Sequence, residues 1–219
     1  MICKTKNMKR AVTVLIVICF VLSMFAVDVS AVSTPLCKYT YEDDNATGVA
    51  VHIKSKSKSF ISGKVQVTYF VDGKKIQSRT KNFTCIKNTY LDFFGPDDTD
   101  AYNQDNFSYS VKVYNVKKVK KKDAKKKVKT WIKRTNSGDG YSDKITLYVK
   151  NTSKKTIRYN AALVMRYAGK DAFGDNRKGD FYTMERRQGK IKPGKTIKVQ
   201  GVTWDDYKIK SIKYVNAYY

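Results

Sequence analysis

Apolar and polar residues alternate along most of the chain after residue 31. Val49, Val51 and Ile53 are separated by single residues, and the same spacing recurs at Val65 and Val67. Successive side chains of a strand point to opposite faces, so this alternation is typical of a β-strand with one buried face. No helical period is sustained after residue 31. The pattern therefore predicts an all-β chain of short antiparallel strands.

The alternating pattern occurs twice. Residues 49–61 align without a gap with residues 145–157, and each half ends in a further alternating run, at 109–116 and 209–217. Short strands at this spacing, with turn residues between them, indicate β-sandwiches. We predict two tandem immunoglobulin-like antiparallel β-sandwiches, at residues 36–116 and 130–219, joined by a lysine-rich linker at 117–129.

The N-terminus has the organisation of a secretory signal peptide. Lys4, Lys6, Lys9 and Arg10 precede an apolar run over residues 11–27, and Val29-Ser30-Ala31 offers small residues for cleavage. We predict a signal helix in residues 1–31, cut after Ala31. The alternative is an uncleaved anchor, because a run of this length is close to the minimum that spans a bilayer. The chain is therefore expected to be secreted, or retained at the cell envelope.

Two segments of the second half carry a resemblance to a known family. Residues 149–157 read Val-Lys-Asn-Thr-Ser-Lys-Lys-Thr-Ile, and residues 191–197 read Ile-Lys-Pro-Gly-Lys-Thr-Ile. They resemble the FxLYD-type and related immunoglobulin-like modules of secreted bacterial proteins, whose function is largely unassigned. The chain departs from that family at Tyr167-Ala168 and Val71-Asp72, where Tyr-Asp would be expected. The resemblance implies a module that binds or spaces and does not catalyse.

The charge of the chain is strongly positive. The formal net charge is +25, and removal of the signal, with four cations and Asp28, leaves about +22. The highest density of charge is in residues 117–129, called the lysine segment below. Its candidate polyanion-binding residues are Lys117, Lys118, Lys120, Lys121, Lys122, Lys125, Lys126, Lys127 and Lys129.

The lysine segment has two compatible interpretations. One is a solvated linker that self-repulsion keeps extended. The other is a docking segment for a polyanion outside the cell, such as an anionic cell-wall polymer or a membrane surface. A specific nucleic-acid role is not expected, because no helix-turn-helix, zinc-finger or ribonucleoprotein motif is present.

Residues suited to catalysis or metal binding are scarce. His52 is the only histidine, and its place in an alternating strand indicates a surface residue. The aspartates of residues 92–105 indicate a turn-rich loop more than a Ca²⁺ site. Asp205 and Asp206 are adjacent, so on a strand they would point to opposite faces. We therefore expect no enzyme activity, no metal and no cofactor.

Cysteine and tryptophan leave alternatives open. Cys37 and Cys85 are the two cysteines beyond the signal, and either a disulfide between them or two free thiols is compatible with export. Trp131 and Trp204 are interpreted as core or strand-edge packing in preference to a sugar-stacking platform. The predicted function is that of a non-catalytic binding protein for an anionic envelope polymer or a surface protein partner. The alternative is a structural spacer or adhesin component without a ligand; the oligomeric state is open.

Overall fold

The structure is a computed structural model that describes residues 32–43, 48–96, 106–136, 138, 141–170, 174–204 and 208–219. The predicted signal peptide lies outside these residues. Asp97, Asp98, Asp100 and Asp105 of the acidic stretch, and the pair Asp205 and Asp206, also lie outside them.

The described part of the chain is built from β-strands, as the alternating pattern predicts. The strands are β1 (Val32–Ser33), β2 (Cys37–Asp43), β3 (Gly48–Ser55), β4 (Ile61–Val71), β5 (Lys74–Cys85), β6 (Asn88–Phe94), β7 (Phe107–Lys118), β8 (Val128–Asn136), β9 (Ser142–Asn151), β10 (Ile157–Tyr167), β11 (Phe181–Ile191), β12 (Thr196–Trp204) and β13 (Ile209–Tyr218). A 3₁₀ turn, Lys125–Lys127, precedes β8. Every strand pairing in the described residues is antiparallel.

The strands form four sheets, two in each half of the chain. In the first half, sheet A has the order β1-β2-β3-β6 and sheet B the order β5-β4-β7. In the second half, sheet D has the order β12-β9-β8 and sheet C the order β11-β10-β13. Apart from β1, the two halves have the same strand order. The sequence repeat is therefore a structural repeat, and β4 and β10 have matching bounds at the offset of the sequence alignment.

The turns that follow β3 and β9 show how the repeat is encoded. In the second half, the buried Asn151 accepts hydrogen bonds from Ser153 N–H and Oγ–H, both at 2.8 Å. Its Nδ2 donates to the carbonyls of Lys155 and Ile191. In the first half, Ser55 occupies the equivalent position, and its Oγ accepts from Ser57 N–H at 3.1 Å. Both are turns in which a short polar side chain bonds to the backbone two residues ahead.

Each half encloses its own hydrophobic core between its two sheets. Buried side chains of sheets A and B, among them Val51, Leu91 and Val67, form the first core. Buried side chains of sheets C and D, among them Leu147 and Leu163, form the second. Each half is thus a β-sandwich, with apolar residues facing inward as the alternation predicts. We call them the first and second sandwich.

A third apolar cluster lies between the two sandwiches. Ala50 and Tyr90, on the outer face of sheet A, pack against Ala162, Val164 and Met184, on the outer face of sheet C. Residues 31–219 accordingly form one compact unit. The sequence did not predict this contact between sandwiches.

Polar groups complete the same interface. Asn160 Nδ2 donates to Thr89 Oγ1 at 2.7 Å, and both residues are buried. Asn216 Nδ2 donates to the Asn88 carbonyl at 2.7 Å, and Ile86 N–H donates back to Asn216 Oδ1 at 3.2 Å. Buried amides that find partners across an interface fix its geometry, because an alternative packing would leave them unsatisfied. The sandwiches are therefore held in one relative orientation.

Candidate polyanion-binding surface

The backbone of the lysine segment is fixed at several points. Lys117 and Lys118 belong to β7 and Lys129 to β8, so only residues 119–127 lie between strands. Val119 N–H donates to the Phe60 carbonyl at 2.9 Å, which ties the segment to the first sandwich. The linker predicted for residues 117–129 is therefore shorter than expected, and its backbone is paired.

Its middle is fixed to the second sandwich. Ala124 is 1% exposed within the second core, and its N–H donates to the Ala217 carbonyl at 2.9 Å. Tyr219 N–H donates to the Lys122 carbonyl, and Thr152 N–H donates to the Lys127 carbonyl. Asp123 Oδ1 accepts from Lys125 N–H at 2.7 Å and starts the 3₁₀ turn. Backbone hydrogen bonds and one buried methyl group thus hold a segment whose charges repel one another.

All nine lysines predicted from the sequence are exposed. Because the backbone is fixed while the ammonium groups face water, the charges are presented without an ordering cost for the main chain. Lys118, Lys120 and Lys121 line a depression of about 480 Å³, and Lys125 lines a second of about 340 Å³. Lys117, Lys122, Lys126, Lys127 and Lys129 line neither depression.

Three further lysines reach these depressions from elsewhere in the chain. Lys58 comes from the turn between β3 and β4, Lys87 from the turn between β5 and β6, and Lys213 from β13. Ile86 and Asp123 form the wall that the two depressions share. We call the seven lysines that line them the junction surface, which consists of Lys58, Lys87, Lys118, Lys120, Lys121, Lys125 and Lys213.

The junction surface has a large excess of positive charge. Asp123 is the one carboxylate among the residues that line the two depressions. Clustered lysines of this kind create a positive potential that concentrates anions and weakens as salt rises. Lysine is a hydrated point charge without the planar fork of arginine, which suits a repeating anion more than a unique planar group. Aromatic groups are close by, since Lys121 Nζ lies 5.8 Å from the centroid of the Tyr218 ring.

Of the two alternatives that the sequence leaves open for Cys37 and Cys85, this structure has two free thiols. Cys37 and Cys85 are both buried in the first core. Burial raises the pKa of Cys37, and it raises the pKa of Cys85 to about 12, with a further contribution from Cys37 itself. Both thiols are therefore protonated at neutral pH and unreactive in the folded chain.

The two tryptophans, interpreted as core or strand-edge packing, lie outside the core: Trp204 is 58% exposed and Trp131 is 37% exposed. Trp204 is on β12 and Trp131 on β8, the two edge strands of sheet D. Both lie on the outer face of sheet D. The Trp131 ring is stacked on Tyr148, with 5.0 Å between centroids. Lys198 Nζ lies 5.7 Å from the centroid of the Tyr148 ring.

His52 is not the surface residue expected from the alternation. It lies at the interface between the sandwiches, with its ring stacked on Tyr90 and 5.7 Å from the centroid of Tyr214.

Asp92 of the acidic stretch forms ion pairs with Lys81 and Arg186. Among the described residues, no three His, Cys, Asp or Glu side chains are grouped as metal ligands would be. Within those same ranges, no helix has the length and apolarity needed to cross a membrane.

Comparisons with known proteins identify no family. No family model matches the chain, and no curated protein matches it. Among solved structures, red sea bream transglutaminase aligns with 84% of this chain at 8% identity and a TM-score of 0.27. The exo-chitosanase CsxA of Amycolatopsis orientalis aligns with 80% of it at 12% identity and a TM-score of 0.19.

The first two alignments are with parts of larger proteins. The chain spans 31% of the transglutaminase and 26% of the chitosanase. An allantoicase from Saccharomyces cerevisiae aligns with 83% of this chain and 80% of its own, at 11% identity and a TM-score of 0.14. Likeness at this level carries no argument about function.

Proposed function

We propose that this chain is an exported, non-catalytic protein whose two immunoglobulin-like sandwiches display the junction surface to an anionic polymer of the cell envelope. The observation that carries the proposal is the junction surface itself. Seven lysines from four parts of the chain converge there, and a paired backbone holds the segment that contributes four of them.

The arrangement supports a polymer ligand over a small one. The two depressions are shallow neighbours along one surface, and five more lysines of the lysine segment are exposed around them. A flexible polyanion can exchange its counterions for many lysines at once, and each contact need not be geometrically exact. Phosphate-rich wall polymers and acidic glycans have this chemistry, and both are found where a secreted protein would meet them.

The immunoglobulin-like assignment is supported by the strand order of the two halves. With β1 left aside, one sheet of each half contains the first, second and fifth strands and the other contains the third, fourth and sixth. The connections from the second to the third, the fourth to the fifth and the fifth to the sixth of these strands cross between the sheets, as connections do in immunoglobulin-like sandwiches. Export is supported by the composition of residues 1–31. A role as a spacer without a ligand is the competing proposal, and retention on envelope fractions distinguishes the two.

The test is retention on envelope fractions at low and high salt. The protein recovered after expression of the full chain is mixed with isolated bacterial envelopes, pelleted, and washed at two salt concentrations. We expect it to be retained at low salt and released at high salt, because exposed charges are screened within about 8 Å at physiological ionic strength. Release at both concentrations would refute the proposal and leave the spacer.

Two matched variants show whether the junction surface is responsible. Lys58→Gln/Lys87→Gln/Lys120→Gln removes three charges from the junction surface. Lys74→Gln/Lys75→Gln/Lys133→Gln removes three exposed charges elsewhere. Lys74 and Lys75 are at the start of β5, at the turn of the β4–β5 hairpin, and Lys133 is on β8. We expect the first to lose most of its retention and the second to keep it. Equal loss in both would assign retention to net charge alone.

A further inference from the structure

A separate cleft lies where the first sandwich meets the outer face of sheet C. Its volume is about 700 Å³, within the usual range of small-molecule sites. Strand β5 and Asp92 of the first sandwich line one side, and strands β10, β11 and the end of β13 line the other. It shares no lining residue with the two depressions of the junction surface. The cleft exists only because the two sandwiches are docked.

The strand register explains which side chains reach the cleft. Along sheet C, Val164 pairs with Met184, Ala162 with Arg186, Asn160 with Gln188 and Arg158 with Lys190. Val164, Ala162 and Met184 are covered by the first sandwich, whereas Arg158, Gln188 and Lys190 are exposed. The outer face of sheet C thus changes from apolar to polar along its length. The cleft begins where the interface ends.

Arg186 forms the buried wall of this cleft. Its side chain is 6% exposed, and its guanidinium donates to Asn160 Oδ1 at 3.2 Å, Gln188 Oε1 at 2.6 Å and Asp92 Oδ1 at 3.4 Å. A guanidinium fixed by three acceptors from both sandwiches cannot change its orientation when a ligand enters. The wall is therefore preorganised.

The charge of the cleft is unbalanced. Lys81, Arg158, Arg186 and Lys190 line it against the single carboxylate of Asp92. That carboxylate is already engaged, since Lys81 Nζ lies 3.3 Å and Arg186 Nη1 3.4 Å from its Oδ1. Four cations and one carboxylate leave three positive charges in excess.

Two of these cations are directly opposite each other. Arg158 and Lys190 are cross-strand neighbours, and no ion pair involves either among the residues that the structure describes. Like charges at facing positions of a sheet are destabilising unless an anion lies between them. The pair is therefore a place where a bound oxyanion would stabilise the folded chain.

The remaining lining groups suit hydroxyl groups and a sugar ring. Gln188, Asn82 and Thr84 bring amide and hydroxyl groups to the cleft. Tyr218 pairs with Arg158 on the neighbouring strand and lines the same cleft with a partly exposed side chain. An aromatic ring offers an apolar face to the C–H groups of a pyranose, and guanidinium and ammonium groups bind carboxylate or phosphate strongly.

From these features we infer that the cleft is a discrete binding site for an acidic saccharide unit. The oxyanion, a carboxylate or a phosphate ester, binds between Arg158 and Lys190, and the sugar lies toward Gln188 and Tyr218. The cleft shares no lining residue with the depressions of the junction surface, so saccharide binding in the cleft and polymer binding at the junction surface can be tested separately.

The test is a titration of the full-length exported protein with three probes: trigalacturonic acid, glucose 1-phosphate and the neutral trisaccharide maltotriose. Affinity is measured by calorimetry, and the site is located from amide chemical shifts. We expect one of the two acidic probes to bind and maltotriose not to bind. The acidic probe that binds identifies the oxyanion. The largest shifts are expected at Gln188, Lys190 and Tyr218.

Variants assign the site. Arg158→Gln/Lys190→Gln changes two exposed residues and removes their repulsion, so it should unfold at the same temperature as the parent or higher. It should weaken the acidic probe about tenfold or more. The junction variant Lys58→Gln/Lys87→Gln/Lys120→Gln is the control and should bind the probe as the parent does. The inference is overturned if neither acidic probe binds, if maltotriose binds equally well, or if both variants lose the same affinity.

Discussion

The ring of His52 lies flat against the ring of Tyr90, with 4.2 Å between centroids and 8° between planes. His52 belongs to β3 and Tyr90 to β6, and they face each other across sheet A at the interface with the second sandwich. Burial lowers the pKa of His52 to about 4, the Asn88 side chain offsets this in part, and Arg166 and Lys54 lower it further. The imidazole of His52 is therefore neutral at neutral pH in the docked sandwiches.

The free energy of unfolding should decrease as the pH falls, because His52 binds a proton more readily in the unfolded chain. The folded-state pKa is below the ordinary value of 6.5, so the unfolded chain binds more protons between about pH 6.5 and pH 4. The contribution is complete above pH 6.5 and is lost progressively down to pH 4, to a total of about 3 kcal/mol. His52→Phe keeps a stacked ring and cannot titrate. The free energies of unfolding of the parent and the variant are measured with urea at pH 7 and at pH 4.5. Between these pH values, the parent should lose about 3 kcal/mol more than the variant. Parallel pH curves would contradict this account.

The buried Arg186 should depend on Asp92. Asp92→Asn removes the anion next to a guanidinium that is 6% exposed, and we expect a loss of about 2 kcal/mol. Asp143→Asn is the matched control, because Asp143 pairs with Arg134, whose side chain is 43% exposed, and such pairs contribute less than about 1 kcal/mol. Urea midpoints measure both. Equal losses would show that the Arg186 pair does not stabilise the interface.

The turn at Asn151 should be costly to remove. Asn151→Ala would remove the side-chain donor to the Ile191 carbonyl and the acceptor of the Ser153 amide, and it would leave the Lys155 carbonyl with the Ser153 hydroxyl alone. We expect a loss of about 2 to 4 kcal/mol. Asn151→Ser reproduces the residue of the first sandwich, where Ser55 keeps the bond to the backbone two residues ahead. It should recover about half of that loss. Thermal unfolding of the two variants distinguishes this from a generic loss of side-chain volume, which would make them equivalent.

Part of the fold can be predicted from the sequence, because it depends on local patterns and local hydrogen bonds. The alternation at Val65 and Val67 correctly predicts β4, because one strand face packs in a core and the other meets solvent. The repeat predicts that the same strand recurs as β10. The short turn at Asn151 is likewise visible, since its hydrogen bonds are local.

Contacts between the sandwiches are not local, and the alternation hides them. Ala50 and Tyr90 fall on positions that would face water in an isolated sandwich. One signal was available: residues 161–165 read Ala-Ala-Leu-Val-Met, a continuous apolar run typical of a strand buried on both faces. Lys58 and Lys87 carry no such signal, because each is a single cation in a turn, and only folding brings them to the lysine segment.

The two buried cysteines should not react with thiol reagents in the folded chain. With its pKa raised to about 12, Cys85 has about one thiolate in ten thousand at pH 8. Iodoacetamide should therefore modify Cys37 and Cys85 only after unfolding in guanidinium, as peptide masses would show. Labelling of the native protein would contradict the burial. Absence of labelling after unfolding without reductant would instead show the disulfide that the sequence left as an alternative.

The central claim is that the converging lysines of the junction surface bind a polyanion as a set. The most direct measurement is the dissociation constant for poly(glycerol phosphate) as a function of salt. With about 0.7 counterions released per phosphate contact on a flexible chain, seven lysines give a slope of log affinity against log salt of about −5. We expect Lys58→Gln/Lys87→Gln/Lys120→Gln to flatten this slope by about two, and Lys74→Gln/Lys75→Gln/Lys133→Gln to leave it unchanged. Identical slopes for the two variants would contradict the claim.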